Sequence, residues 1–213
     1  NPETEPEVLF DYSWEDRYND PGSPDTKKNK NGRRVLILGE NERTLFLLGD
    51  GASPEGDRPF LDKLDLTTKE TERLFRSEAP YYEHPIQVLD NKGRLVLTRR
   101  ESIEEPPNFY VRDLEAESLR PITRFPHPTP QLKGIQKELI RYDRADGVQL
   151  TGTLYLPAGY KPEDGPLPMV MWAYPREFKS ADAAGQVKDS PYRFDRVGWW
   201  SPLLWLPMGY AVL

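Results

Sequence analysis

Two consecutive stretches of this 213-residue chain follow one plan, repeated at a spacing near 50 residues. The first reads "RRVLILGE", "RTLFLLGD", "FLDKLDL" and "ERLFRS"; the second reads "IQVLD", "GRLVLTRR", "NFYVRDL" and "LRPITRF". In each, a strand (Thr44 to Leu48, then Arg94 to Thr98) runs into a loop. An alternating strand ending in Asp-Leu follows, then a turn rich in Thr, Glu and Ser, then a last strand. Leu45 and Leu95 stand 50 positions apart, and Leu66 and Leu114 stand 48 apart. Several strands per unit at a period of about 50 residues is the pattern of a β-propeller blade. One four-stranded sheet cannot bury both its faces, so such units stack in series. Two of them do not close a ring, and the propeller reads as incomplete.

Before the repeat, residues 1–34 are turn-rich. Pro21-Gly22 and Ser23-Pro24 mark turns, and Asn31-Gly32 marks a hairpin tip. Lys27, Lys28, Lys30, Arg33 and Arg34 form a basic run. Because the whole chain carries a net charge of −6, it reads as a solvated loop between strands rather than as a nucleic-acid surface. After the repeat, Pro126, Pro128 and Pro130 form a stiff linker. The boundary falls there, with a partial β-propeller over residues 1–129 and a second unit over residues 130–213.

The second unit has a different texture. Two alternating strands flank Asp146-Gly147, a strong hairpin signal. "LPMVMWAYP" is an apolar run of the kind found in a strand covered on both faces. Residues 177–196 read as a polar loop and residues 197–208 as loop and helix. "YAVL" opens another buried strand. Hairpin, buried strand, helix, buried strand is how an α/β-hydrolase sheet begins. The fold class is therefore mixed, with all-β blades followed by the N-terminal strands of an α/β-hydrolase domain.

Composition removes several other classes. With no Cys, there is no disulfide and no thiolate chemistry. No apolar run approaches the roughly 18 residues of a membrane span. Two distant His and no Cys give no zinc pattern. "GDGASPEGD" lacks the Lys-Ser/Thr of a phosphate loop, and Asp50, Asp57 and Asp62 do not fit an EF-hand. No cofactor is expected. Cytoplasm, periplasm and plastid all remain open.

Several long strings together resemble one family. "LFDYSWEDRYNDPGSPD", "LLGDGASPEGDRPFLD", "FPHPTPQLKGIQKELIRYDRADGVQLTGTLYLPAGY" and above all "DGPLPMVMWAYPREFKSADAAGQV" are similar to the prolyl oligopeptidase family of serine peptidases, in its glutamyl endopeptidase branch. The likeness is collinear from about Glu5 to Leu213. It implies a β-propeller over an α/β-hydrolase domain, acyl-enzyme hydrolysis of peptide bonds after Glu, and peptide or protein substrates.

The chemistry for that reaction is incomplete in these residues. Acyl transfer needs a nucleophile, a base and oxyanion donors. In this fold the nucleophile sits on a Gly-x-Ser-x-Gly elbow, followed by Asp or Glu and then His. The elbow pattern does not occur. Ser180, Ser190 and Ser201 lack the flanking glycines, and His84 and His127 precede every strand that could hold the nucleophile. His84 reads as a turn residue before Pro85, and His127 as part of the linker. The chain reads as a middle piece that lacks other blades and the catalytic half of its hydrolase domain, and it is expected to be inactive alone. The resemblance implies one catalytic group, Tyr174, whose hydroxyl would donate to the oxyanion. Arg176 and Lys179 are candidates for reading the substrate's carboxylate, with Arg193 and Arg196 in reach of the same site. A non-catalytic propeller module that binds peptides or proteins is the alternative.

Overall fold

The computed structural model describes residues 5–174 and 177–213. Fourteen strands lie among them: β1 (Ser23–Pro24), β2 (Thr26–Lys28), β3 (Arg34–Leu36), β4 (Thr44–Gly49), β5 (Phe60–Asp65), β6 (Thr71–Arg76), β7 (Tyr82–Val88), β8 (Leu95–Glu101), β9 (Asn108–Asp113), β10 (Ser118–Pro121), β11 (Gln136–Asp143), β12 (Gln149–Leu156), β13 (Met169–Val170) and β14 (Ala211–Val212). Helix is scarce, with one short α-helix, α1 (Ala181–Gly185), and three 3₁₀ turns.

The repeat becomes two four-stranded antiparallel sheets, ordered β1-β4-β5-β6 and β7-β8-β9-β10. The turns that join the strands explain the meander. Asp65 and Asp113 each accept from two backbone N–H groups ahead of them, at Thr67 and Thr68 and at Glu115 and Ala116. Such Asx turns reverse the chain where the sequence shows Asp-Leu followed by Thr, Glu and Ser. Phe46 and Leu61 from the first sheet pack with Val88 and Val96 from the second, together with Ile37. Each sheet buries one face against the other, which is what two stacked blades require.

The outer strand of the first sheet differs from the sequence expectation. Residues 34–36 do not join it. They pair with Thr26–Lys28 as a separate two-stranded hairpin, β2–β3, turned at Gly32 with φ 74°. The position beside β4 is taken by Ser23–Pro24. A two-residue edge strand ending in Pro suits that place, because Pro lacks an N–H to donate. His84, read as a turn residue, lies inside β7, where the register shifts between Pro85 and Gln87.

The last sheet is ordered β11-β12-β14-β13. β11 and β12 pair over eight residues each, and Gly147 turns the hairpin with φ 83°. β14 lies antiparallel to β12 and parallel to β13. Leu132, Leu203, Leu206 and Val212 form the core beneath. Three expectations need correction here. Over its described residues, 167–174, the apolar run yields the two-residue β13 at the sheet's edge, with Met169 51%, Met171 66% and Trp172 58% exposed. Val170 packs on the core, whereas Met169 and Met171, two positions apart, share the opposite face and are left exposed. Residues 202–208 form a 3₁₀ turn, not an α-helix, and Pro207 inside it has no backbone N–H to donate to an α-helical bond. The stretch 177–196 is not all loop: Ser180 caps α1, accepting from the N–H of Ala183 at 3.1 Å.

Candidate functional site

Segments far apart in sequence meet along the stretch 177–196. The N-terminal segment 15–18 lies against it through a dense set of hydrogen bonds. Lys179 N–H donates to Glu15 Oε2 at 3.1 Å. Gln186 Nε2 donates to Asp16 Oδ1 at 2.7 Å, and Arg17 N–H donates to Gln186 Oε1 at 2.8 Å. Val187 N–H donates to the Tyr18 hydroxyl at 2.8 Å. The Arg17 guanidinium then bridges two partners, Val187 O at 3.0 Å and Asp57 Oδ2 at 2.8 Å. Asp57 belongs to the loop between β4 and β5, and its N–H donates to Asp189 O at 2.8 Å.

These contacts wall a polar cleft of about 500 Å³ whose lining includes Arg17, Asp50, Asp57, His84, Arg99 and Arg193. Its electrostatics follow from burial. Asp57 is 5% exposed, and burial pushes its carboxyl up against the opposing pull of Arg17. Burial likewise raises Glu101 just behind the wall, although Arg99 Nη2 lies 3.4 Å from its Oε1. His84 is held below its usual value by burial, with Arg99 and Arg193 acting in the same direction and Asp50 opposing. Its Nδ1 lies 3.9 Å from Asp50 Oδ1. Tyr82 is pushed up by burial, and the Arg193 guanidinium stands 5.5 Å from its ring centre.

The second feature is the carboxyl end of the parallel pair β13–β14. Ala211 N–H donates to Pro168 O, Leu213 N–H to Val170 O, and Trp172 N–H to Leu213 O. Tyr174 follows this end and is 88% exposed. Ligands of α/β sheets bind beyond the carboxyl ends of their strands. Lys179 has an exposed side chain and a backbone tied to Glu15. Arg193 is in an ion pair with Asp189 at 3.1 Å, and Arg196 is exposed. Arg176 lies outside the described residues.

The serines do structural work. Ser180 caps α1. Ser190 is buried and accepts from Tyr192 N–H at 3.3 Å. Ser201 is buried and accepts from Leu203 N–H at 3.4 Å. His127 accepts from Thr129 N–H through Nδ1 at 3.1 Å and stands edge-on to Phe194. Among the described residues, no Ser–His hydrogen bond and no group of three or more potential metal ligands occurs. Reasoning from sequence missed the Arg17–Asp57–Asp189 cluster. Its members sit in turn-rich strings and meet across sequence separations of up to about 170 residues, so no local pattern announces them.

The fold defines the class first. It is similar to oligopeptidase B from Leishmania major, at a TM-score of 0.50 and 12% identity, over 88% of this chain and 24% of that one. Sequence narrows it further. The chain is 48% identical to the probable glutamyl endopeptidase, chloroplastic, of Oryza sativa subsp. japonica, and 45% identical to the protein of the same name from Arabidopsis thaliana. Each match covers 98% of this chain but 24% and 23% of the relative. The chain thus spans about a quarter of the length of the curated relatives it matches. It is homologous to a segment of these two proteins, each named a probable glutamyl endopeptidase. No protein-family model matches it. Among the described residues, no helix is long and apolar enough to cross a membrane.

Proposed function

We propose that this chain supplies two blades of a β-propeller, residues 1–129, and the first strands of an α/β-hydrolase domain, residues 130–213, to a serine peptidase that cleaves peptides and proteins after Glu. One observation carries the reading. The parallel pair β13–β14 presents Tyr174 just beyond its carboxyl end, within a string that matches the glutamyl endopeptidases in order. In this reading the Tyr174 hydroxyl donates to the oxyanion of the tetrahedral intermediate. The exposed edge of β13 pairs with a further strand of the same hydrolase domain, next to the elbow that carries the nucleophile. Arg176 and Lys179 are the candidate cations for a substrate carboxylate, with Arg193 and Arg196 further along the same stretch.

The 213 residues hold no Gly-x-Ser-x-Gly elbow, so this chain alone hydrolyses no peptide bond. The test is labelling with a fluorophosphonate probe. The chain by itself should not react, while a longer protein that joins this segment to an elbow Ser and a following Asp and His should. Within such a protein, Tyr174→Phe should lower kcat by about a hundredfold or more with little change in KM, the usual effect of losing one oxyanion donor. Labelling of the isolated chain would refute the reading. A fully active Tyr174→Phe enzyme would remove Tyr174 from it.

A further inference from the structure

The hairpin β2–β3 plays no part in the peptidase reading. It belongs to neither four-stranded sheet, and it carries Lys27, Lys28, Lys30, Arg33 and Arg34 without one acidic residue between Thr26 and Leu36. All five cations are exposed. None forms an ion pair among the described residues, although the chain as a whole is acidic, at −6. The nearest carboxylate in sequence, Asp25, is buried and turned inward, where Oδ2 accepts from Val88 N–H at 2.6 Å and Oδ1 from Thr26 N–H at 2.7 Å. The positive charge of the hairpin is therefore left facing outward.

The hairpin is also anchored. Ile37 N–H donates to Asp25 O at 3.0 Å, and Gln87 Nε2 donates to Thr26 O at 3.2 Å. Between it and the end of β7 runs a groove of about 250 Å³, with Ile37, Leu38, Val88 and Leu89 on its walls, Lys27 beside them, and Asp90 at the same groove with its carboxylate held by the N–H groups of Arg94 and Leu95 at 2.9 and 3.3 Å. Leu38 and Leu89 are 38% and 47% exposed, and Val35 and Leu36 on the hairpin are 37% and 47% exposed. Exposed cations and apolar side chains thus share one anchored hairpin, where Lys27 stands opposite Val35 in the register.

We propose that the β2–β3 hairpin and this groove form a docking site for an acidic peptide segment whose Glu or Asp residues are interspersed with apolar ones. Carboxylates meet the lysines and arginines, and an apolar side chain enters the groove. A polyphosphate chain has nothing to place against Leu38 and Leu89, and the acidic remainder of the molecule repels a long polyanion. An exposed ion pair is weak singly, so affinity comes from several pairs together with apolar burial.

The test is fluorescence anisotropy of a short labelled peptide of Glu-Glu-Leu repeats added to the chain. Its Gln-Gln-Leu counterpart should bind at least about tenfold more weakly, given several exposed pairs lost at once. The variant K27Q/K28Q/K30Q/R33Q/R34Q should show the same loss toward the acidic peptide. The variant R43Q/R120Q/R124Q/K133Q/K161Q removes as many exposed charges elsewhere and should bind like the parent. Added salt should weaken binding. Saturating acidic peptide should also protect Lys27, Lys28 and Lys30 of the parent chain from acetylation, read by mass spectrometry without any variant. Equal binding of both peptides, equal loss in both variants, or no protection overturns the proposal. So does equally tight binding of a single-stranded oligonucleotide or of anionic vesicles.

Discussion

Removing Arg17 should destabilise this protein far more than removing the acid it pairs with. The side chains differ in exposure, 26% for Arg17 and 5% for Asp57. In Arg17→Ala the Asp57 carboxylate stays buried. Its Oδ2 loses the guanidinium, its Oδ1 already lacks a hydrogen-bond partner, and Asp50 and Asp189 lie close enough to repel it. Stranding a buried charge typically costs about 3–5 kcal/mol, and the bond from Arg17 to Val187 O goes with it. For a chain of this size that is roughly a 10 °C drop in Tm. Asp57→Asn leaves a guanidinium that water still reaches and that keeps its bond to Val187 O, so the cost should be about 1–2 kcal/mol. The double variant should be more stable than Arg17→Ala alone, since no stranded charge remains. Urea unfolding followed by tryptophan fluorescence measures all three, and amide exchange at Val187 and Asp189 reports the local contact. If Asp57→Asn costs as much as Arg17→Ala, or the double variant gives no recovery, the asymmetry argument fails.

Phe46 is 1% exposed and joins Leu61, Val88 and Val96 between the two sheets, so Phe46→Ala should cost about 3–5 kcal/mol in the same denaturation assay. A loss below 1 kcal/mol would mean that the sheets do not share this core. His84 has a folded pKa below its unfolded value near 6.5. The unfolded chain therefore binds the proton first, and the His84 contribution to stability is lost as pH falls below about 6.5. Tm measured from pH 7 to pH 5 should decline less steeply in His84→Gln, and an NMR titration should place the His84 ring on the acid side of its ordinary value. An ordinary or raised value for that ring would contradict the burial seen in the cleft.

Much of the β-structure was legible because its causes are local. The longer strands of the repeat are rich in apolar residues, and Asp65 and Asp113 begin turns that close through neighbouring N–H groups. Asn31-Gly32 and Asp146-Gly147 likewise set their hairpins with residues two or three positions away. The register of the first sheet was not local. Arg34–Leu36 and Ser23–Pro24 are both short segments within reach of β4, and the choice between them rests on which one the Pro edge and the Asp25–Val88 contact leave free. The apolar string at 167–175 looked like a buried strand because its composition says nothing about whether neighbours are present to cover it.

The site divides along the same line. Sequence alone supplied the residues that the proposal rests on: a Tyr at the end of an apolar run, several cations after it, and no Gly-x-Ser-x-Gly pattern within these 213 residues. Those are matters of residue type and order. Tertiary structure alone decided that Arg17, Asp57 and Asp189 meet, that His84 is partly buried beside Arg99, and that five exposed cations stand together on one hairpin without an ion pair among the described residues. The physical reason is distance along the chain. A turn or a cap is set within a few residues, whereas a buried ion pair or an unopposed patch exists only once the whole backbone has fixed which side chains share a space and which of them water still reaches.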